Sequence, residues 1–143
     1  MKHAVAHMQA AGGGRILNVA STAAFMPGPN MAVYHATKAY VLSLSEAVAK
    51  ELRTSAVSVT VLCPGATQTA FFDAAGMEGV RLLKLTRPAA APAVARAGWQ
   101  AMMRGRRILV PGVMNRLFAF APRLAPRGLV TRIAGAVMGK PGA

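Results

Sequence analysis

Apolar and polar positions change their spacing along the chain, and the changes mark its elements. Residues 1–11 carry apolar side chains at helical spacing until three consecutive glycines at 12–14. This pattern predicts the end of a helix. Residues 15–20 form a short, nearly continuous apolar run, which is typical of a parallel strand covered on both faces. A chain that opens on the last turns of a helix leads us to expect that the beginning of the fold is missing.

The alternation of helical and extended patterns continues to about residue 112. We predict a loop, a long helix, a strand, a helix that Pro88 begins at its first position, and a third strand, in that order, at 22–30, 31–53, 57–63, 89–104 and 107–110. Strands that alternate with helices predict an α/β fold with a parallel sheet of about three strands and right-handed crossover helices.

The last 31 residues have a different pattern and form a basic, apolar tail over 113–143. Two apolar segments that contain arginines lie within it, Val113–Ala121 and Leu129–Met138. They could be amphipathic helices that lie on a membrane or on a partner, or helices that cap the core of the protein itself. We therefore expect an α/β domain over 1–112 and a helical tail over 113–143.

The net charge of +13 belongs almost wholly to the C-terminal part. All four acidic residues precede residue 79, whereas residues 81–143 hold 12 of the 17 Lys and Arg residues. An anionic membrane surface, a polyanion or simple solvation of the arginines could explain this. The arginines are scattered and few aromatics lie between them, so we expect no nucleic-acid partner and keep peripheral membrane contact as an alternative.

Two features of the sequence bear on the location of the protein in the cell. No run reaches the roughly 18–20 apolar residues that span a bilayer. The single cysteine, Cys63, cannot form an internal disulfide, which fits a reducing compartment. We expect a cytoplasmic protein.

Three polar side chains that can act on a carbonyl group fall in one strand-loop-helix unit. Ser21 follows the first strand, at the end where parallel-sheet proteins bind ligands. Tyr34 and Lys38 are four residues apart on the long helix and therefore lie on one face of it. A cationic ammonium beside a phenol favours the phenolate, so this tyrosine could exchange a proton with a substrate oxygen.

The combination of these residues resembles a known family. The segments NVAS and YHATK place a serine thirteen positions before the tyrosine of a Tyr-x-x-x-Lys motif, and the next strand ends in CPGATQT. In these features residues 12–70 resemble the active-site segment of the short-chain dehydrogenases/reductases. The order of elements extends the resemblance to about residue 112. The resemblance implies the C-terminal part of a Rossmann-type, doubly wound parallel sheet.

The resemblance also implies a role for each residue of the motif. Tyr34 would be the general acid in carbonyl reduction or the base in alcohol oxidation. Lys38 would bind the nicotinamide ribose and act on Tyr34, and Ser21 would hold the substrate oxygen. The remaining cofactor contacts would come from Pro64, Gly65, Thr67 and Thr69. The cofactor would be NADP or NAD, with NADP preferred, and no metal is expected.

Substrate and partners are implied in the same way. A loop from Thr69 to about Arg87 would cover the substrate, and its Phe71, Phe72 and Met77 favour an apolar carbonyl or alcohol. The protein would form a homo-oligomer through contacts of the helix over 31–53, as members of the family do.

The chain departs from the family pattern at its beginning. The family opens with a strand, a Gly-rich turn and a helix that binds the pyrophosphate. Here the glycines at 12–14 precede a strand, so we interpret them as a helix stop. We therefore expect that the N-terminal Gly-rich half is missing and that the 143-residue chain alone is inactive. The alternatives are a non-catalytic remnant that folds against a partner, or a basic module that binds a membrane surface through 113–143.

Overall fold

The computed structural model describes residues 1–70 and 87–139. The elements, in chain order, are α1 (Lys2–Ala10), β1 (Gly14–Val19), a 3-10 turn (Thr22–Phe25), α2 (Ala32–Glu51), β2 (Val57–Leu62), β3 (Thr67–Gln68), β4 (Ala89–Ala90), α3 (Ala91–Met103), β5 (Ile108–Leu109), α4 (Val113–Phe120), a second 3-10 turn (Ala121–Arg123) and α5 (Arg127–Met138).

The central sheet is parallel and has the strand order β1-β2-β5. Strand β1 pairs with β2 in a register that runs from Gly14 opposite Val57 to Val19 opposite Leu62. Strand β5 pairs with the end of β2, with Ile108 opposite Val61. Helix α2 connects β1 to β2 and helix α3 lies between β2 and β5, so the α/β fold with three parallel strands and crossover helices is confirmed.

Both faces of the sheet are covered, which explains why β2 ends in consecutive apolar residues, Val61 and Leu62. Val61 and Cys63 pack with Leu42 of α2 on one face. The intervening Leu62 packs with Ala101 of α3 on the other face. Successive side chains of a strand point to opposite faces, so a strand between two layers of helices is buried on both faces. The buried hydroxyl of Thr60 in β2 donates to the carbonyl of Arg106 at 2.6 Å.

The start of helix α3 differs from the prediction. The helix begins at Ala91 rather than at Pro88, and the proline in its first turn is Pro92. The residues before it form β4, which pairs in parallel with β3, and Ala89 N–H donates to the carbonyl of Ala66 at 2.9 Å. This pairing across distant parts of the chain keeps residues 89 and 90 extended.

The glycines at 12–14 end helix α1, as predicted. Gly12 and Gly13 have φ values of 87° and 146°, which disfavour residues with a side chain. Gly13 N–H donates to the carbonyl of Met8 at 2.8 Å and so closes the last turn of α1. A Cβ atom on Gly13 would lie 2.9 Å from the carbonyl oxygen of Ala56. The glycines thus connect the helix to β1 and form no phosphate-binding turn after a strand.

Helices α4 and α5 fold back onto the protein. Ala119 of α4 and both Val130 and Ala134 of α5 are buried. Gly135 lies close to Pro29 of the loop that follows β1. Each of these two helices therefore has an inner face that caps the domain. In the described ranges, no helix has the length and apolar character that crossing a membrane requires.

Candidate functional site

The carboxyl ends of β1 and β2 stay paired beyond the strands and form the base of the site. Ala20 N–H donates to the carbonyl of Leu62 at 2.8 Å, and Thr22 N–H donates to the carbonyl of Pro64 at 2.9 Å. The residues after the two strands, Ser21 and Pro64, are thereby held side by side. Parallel-sheet proteins bind ligands at this edge.

Ser21 is fixed by hydrogen bonds on both sides of its hydroxyl group. Its Oγ accepts from Ala23 N–H at 3.1 Å, which caps the 3-10 turn. The same hydroxyl donates to the carbonyl of Pro64 at 3.4 Å. The second bond is long, and a hydroxyl can rotate to a better acceptor. Ser21 is therefore positioned to donate to a ligand oxygen at this edge.

Tyr34 and Lys38 are neighbours on helix α2 and both face the strand ends. The Nζ atom of Lys38 donates to the carbonyl of Val19 at 3.1 Å and lies 5.6 Å from the centroid of the Tyr34 ring. The first contact anchors the lysine to the end of β1. An ammonium group has three N–H donors, so this bond leaves capacity for a ligand.

One cleft of about 520 Å³ brings the predicted site residues together. All seven of them are among its lining residues: Ser21, Tyr34, Lys38, Pro64, Gly65, Thr67 and Thr69. Thr67 Oγ1 also donates to the carbonyl of Gly65 at 3.0 Å, which shapes the turn after β2. The predicted substrate loop, with Phe71, Phe72 and Met77, lies outside the described residues.

Helices α4 and α5 supply a wall of the cleft that the sequence did not indicate. The lining residues from these helices include Asn115, Phe118 and Ile133. Asn115 Nδ2 donates to the carbonyl of Pro111 at 2.7 Å, and its amide group fills the space where a Cβ atom on Gly65 would lie. A side chain at position 65 would therefore displace the Asn115 amide from its place at the start of α4.

His35 is a second residue that the sequence reasoning missed. The residue is only 3% exposed, and its Nδ1 atom lies 2.8 Å from the carbonyl oxygen of Met26. Its Nε2 atom is buried and has no hydrogen-bond partner. A Cβ atom on Gly28 would overlap the imidazole ring. The histidine thus ties helix α2, beside Tyr34, to the loop that follows Ser21.

A part-buried hydrogen bond and a buried thiol lie next to the site. Asn18 Nδ2 donates to Ser45 Oγ at 2.8 Å, and Ser45 Oγ donates to the carbonyl of Val41 at 2.6 Å. Burial raises the pKa of the Cys63 thiol to about 11, and the charge of Glu46 adds to this rise. The thiol is therefore neutral at ordinary pH and serves as a small apolar group. Over residues 1–70 and 87–139 there is no cluster of three His, Cys, Asp or Glu side chains that could hold a metal ion.

Comparison with known proteins links this cleft to one family. The model of the short chain dehydrogenase family matches residues 1–78. An uncharacterized oxidoreductase of Thermotoga maritima is 38% identical over 68 residues, which are 48% of this chain and 27% of that protein.

Solved structures extend the likeness over most of the chain. A short-chain dehydrogenase from Sphingobium yanoikuyae in complex with NADPH has a TM-score of 0.69 and 28% identity, over 87% of this chain and 47% of that one. A short chain dehydrogenase from Burkholderia cenocepacia in complex with NADP has a TM-score of 0.70 and 26% identity, over 90% and 52% of the two chains. The chain therefore spans about a quarter of the curated relatives that it matches and about half of these structures.

Proposed function

The chain belongs to the short chain dehydrogenase family, and from this premise we propose that its cleft is the proton-transfer half of a nicotinamide-dependent oxidoreductase site. The observation that carries the proposal is that Ser21, Tyr34 and Lys38 line one cleft at the carboxyl ends of two parallel strands. The reaction would interconvert a carbonyl group and an alcohol.

Tyr34 is the proposed proton donor in reduction and acceptor in oxidation. Its hydroxyl group would transfer a proton to or from the substrate oxygen. Lys38, whose Nζ atom lies 5.6 Å from the tyrosine ring centroid, would place a positive charge beside the group that exchanges the proton. Ser21 would turn its hydroxyl from Pro64 to the substrate oxygen and hold that oxygen in place. The carbonyl of Val19 fixes the lysine, so the three groups act from a preformed arrangement.

The donors that line the cleft fit one side of a nicotinamide nucleotide. Lys38 would hold the ribose hydroxyls, and the turn at 64–67 would lie against the nicotinamide, with Thr69 near its carboxamide or the pyrophosphate. When bound, the cofactor supplies or accepts the hydride, while the protein supplies position and electrostatics. NADP is preferred over NAD because the two structures compared above were solved with NADPH and NADP.

An apolar substrate is favoured by the wall that α4 and α5 contribute. Phe118, Ile133 and Met138 line the cleft together with the polar residues described above. Such a wall favours a carbonyl compound or alcohol with an apolar body, since pockets select ligands by burying apolar surface around a few polar groups. A cytoplasmic location forms part of the same proposal and is supported by the free thiol of Cys63.

Activity of this half is proposed to require a second half. The described residues contain no Gly-rich turn between a strand and a helix, and the pairings that the structure shows for β1 are with β2. We expect the 143-residue chain to bind NADPH weakly and to reduce nothing detectably. Robust turnover by the purified chain would contradict this expectation.

Completion of the fold tests the catalytic proposal. The upstream half of the Sphingobium yanoikuyae enzyme, joined ahead of residue 1, should give a chimera that oxidises NADPH in the presence of apolar ketones. A chimera that folds and binds NADPH but lacks turnover would favour the second candidate, a non-catalytic remnant that folds against a partner. The edge of β1 is the feature that would accept such a partner.

Helix α2 is the proposed contact between two copies of the protein. Val33 and Tyr40 on this helix are 78% and 66% exposed. Large exposed apolar side chains on one helix favour packing against another helix. Sedimentation of the chimera should show a dimer that Tyr40→Glu dissociates, and a monomer before substitution would contradict the contact.

A further inference from the structure

Exposed apolar side chains are concentrated in the last two helices. Fourteen large apolar side chains are exposed over the described ranges, and eight of them lie between Val113 and Ile133. Leu124, between the helices, is the most exposed of these at 76%. Contiguous apolar patches on a protein surface mark sites of interaction with other molecules. We refer to the exposed side chains of 113–133 as the tail surface.

The tail surface is distinct from the side of the helices that packs on the protein. Ala119, Val130 and Ala134 already bury the inner face of α4 and α5. Phe120 and Leu129 are exposed, so each helix carries a second set of apolar side chains that the domain does not cover. A helix that is apolar on two sides requires a second apolar environment.

The charges around the tail surface have a single sign. Arg116, Arg123, Arg127 and Arg132 are all exposed, and no acidic residue occurs from position 79 to the end of the chain. A binding partner for the tail surface must therefore offer both an apolar environment and negative charge.

We propose that the tail surface docks on an anionic lipid bilayer, with its apolar side chains among the acyl chains and its arginines at the headgroups. An amphipathic helix with arginines beside its apolar face binds such a surface in the interfacial plane. A second copy that docks through its own tail surface is a poorer partner, because that surface would bring the same four arginines and no acid to pair with them. The bilayer supplies both the apolar volume and the opposite charge.

The tail surface is continuous with the cleft. Phe118 and Ile133 belong to the tail surface, being 46% and 56% exposed, and they also line the cleft. Docking would therefore bring the opening of the cleft close to the lipid. This inference concerns binding alone and does not depend on the proposed reaction.

Flotation of the purified chain with lipid vesicles tests the docking. The chain should float with vesicles of phosphatidylcholine and phosphatidylglycerol, float less as salt is raised, and remain in solution with phosphatidylcholine alone. The double substitution Arg123→Gln/Arg132→Gln should weaken binding about thirtyfold, since each cation near an anionic surface contributes a factor of roughly five. Phe120→Ser/Leu124→Ser should weaken binding as well. All four side chains are exposed, so the fold should persist, and circular dichroism checks this.

Matched substitutions elsewhere provide the controls. Arg15→Gln/Lys50→Gln removes two exposed cations outside the tail surface, and Val33→Ser removes an equally exposed apolar side chain. These variants should bind as the unmodified chain does. No flotation, equal flotation with neutral vesicles, or equal loss in the control variants would overturn the proposal. A dimer that only the Phe120→Ser/Leu124→Ser variant dissociates, without vesicle binding, would assign the surface to self-association instead.

Discussion

At the scale of single residues, the site depends on side chains that are held by the backbone at the strand ends. The carbonyls of Val19 and Pro64 position Lys38 and Ser21 respectively. Cys63, between the two strand ends and fully buried, fills the space beneath them. The side chains that could react with a ligand thus lie at the exposed edge of the sheet, whereas Cys63 just below them is neutral and closely packed.

Cys63 links the stability of the fold to alkaline pH. Its pKa rises from 9.0 to about 11 because burial disfavours the thiolate. Below pH 9.0 the thiol is protonated in the folded and in the unfolded chain, so the free energy of unfolding does not depend on its titration there. As the pH rises toward about 11, the unfolded chain loses this proton first, so the free energy of unfolding falls, by up to about 3 kcal/mol.

Denaturation with urea measures this effect. The free energy of unfolding of the unmodified chain, relative to that of Cys63→Ala, should fall as the pH is raised through this interval. All other titrating groups are the same in the two proteins, so their effects cancel in the difference. A difference that stays constant from neutral pH to about pH 11 would show that the thiolate is tolerated in the fold.

At the scale of elements, helix α2 is the part that connects the sheet to the cleft. Tyr34 and Lys38, near the start of this helix, line the cleft. Leu42, further along the helix, packs against the sheet. The bond from Asn18 to Ser45 joins the carboxyl-terminal part of β1 to the same helix. This bond fixes how far along the strand the helix lies and hence where the tyrosine faces.

Ser45→Ala should destabilise the protein by about 0.5–1.5 kcal/mol, since the part-buried amide of Asn18 loses its acceptor. Ser43→Ala, at an exposed position on the same helix, is the matched control and should change stability by less than about 0.5 kcal/mol. Thermal or urea denaturation of the three proteins provides the comparison. Equal effects of the two substitutions would mean that the Asn18–Ser45 bond does not hold the helix in place.

At the scale of the whole molecule, the features that could be predicted from the sequence are those that local residue patterns determine. The apolar run of β1, the loop after Ser21 and the motif of Tyr34 and Lys38 identified the strand ends and the cleft, because strand and helix periods are local properties. The β3–β4 pairing and the contact of Asn115 with Gly65 were missed, because both join residues far apart in sequence. The close fit of His35 against Gly28 was also missed, although the two residues are close in sequence, because the loop between them follows neither the helix nor the strand period.

The most direct test of the account is the turnover of the completed chimera with each of the two tyrosines of helix α2 replaced. Tyr34→Phe should lower kcat by about 10²–10⁴-fold, because the proton donor is lost, while NADPH binding is retained. Tyr40→Phe, on the same helix and 66% exposed, should leave kcat unchanged. Turnover that survives in Tyr34→Phe would contradict the assignment of Tyr34 as the group that exchanges a proton with the substrate.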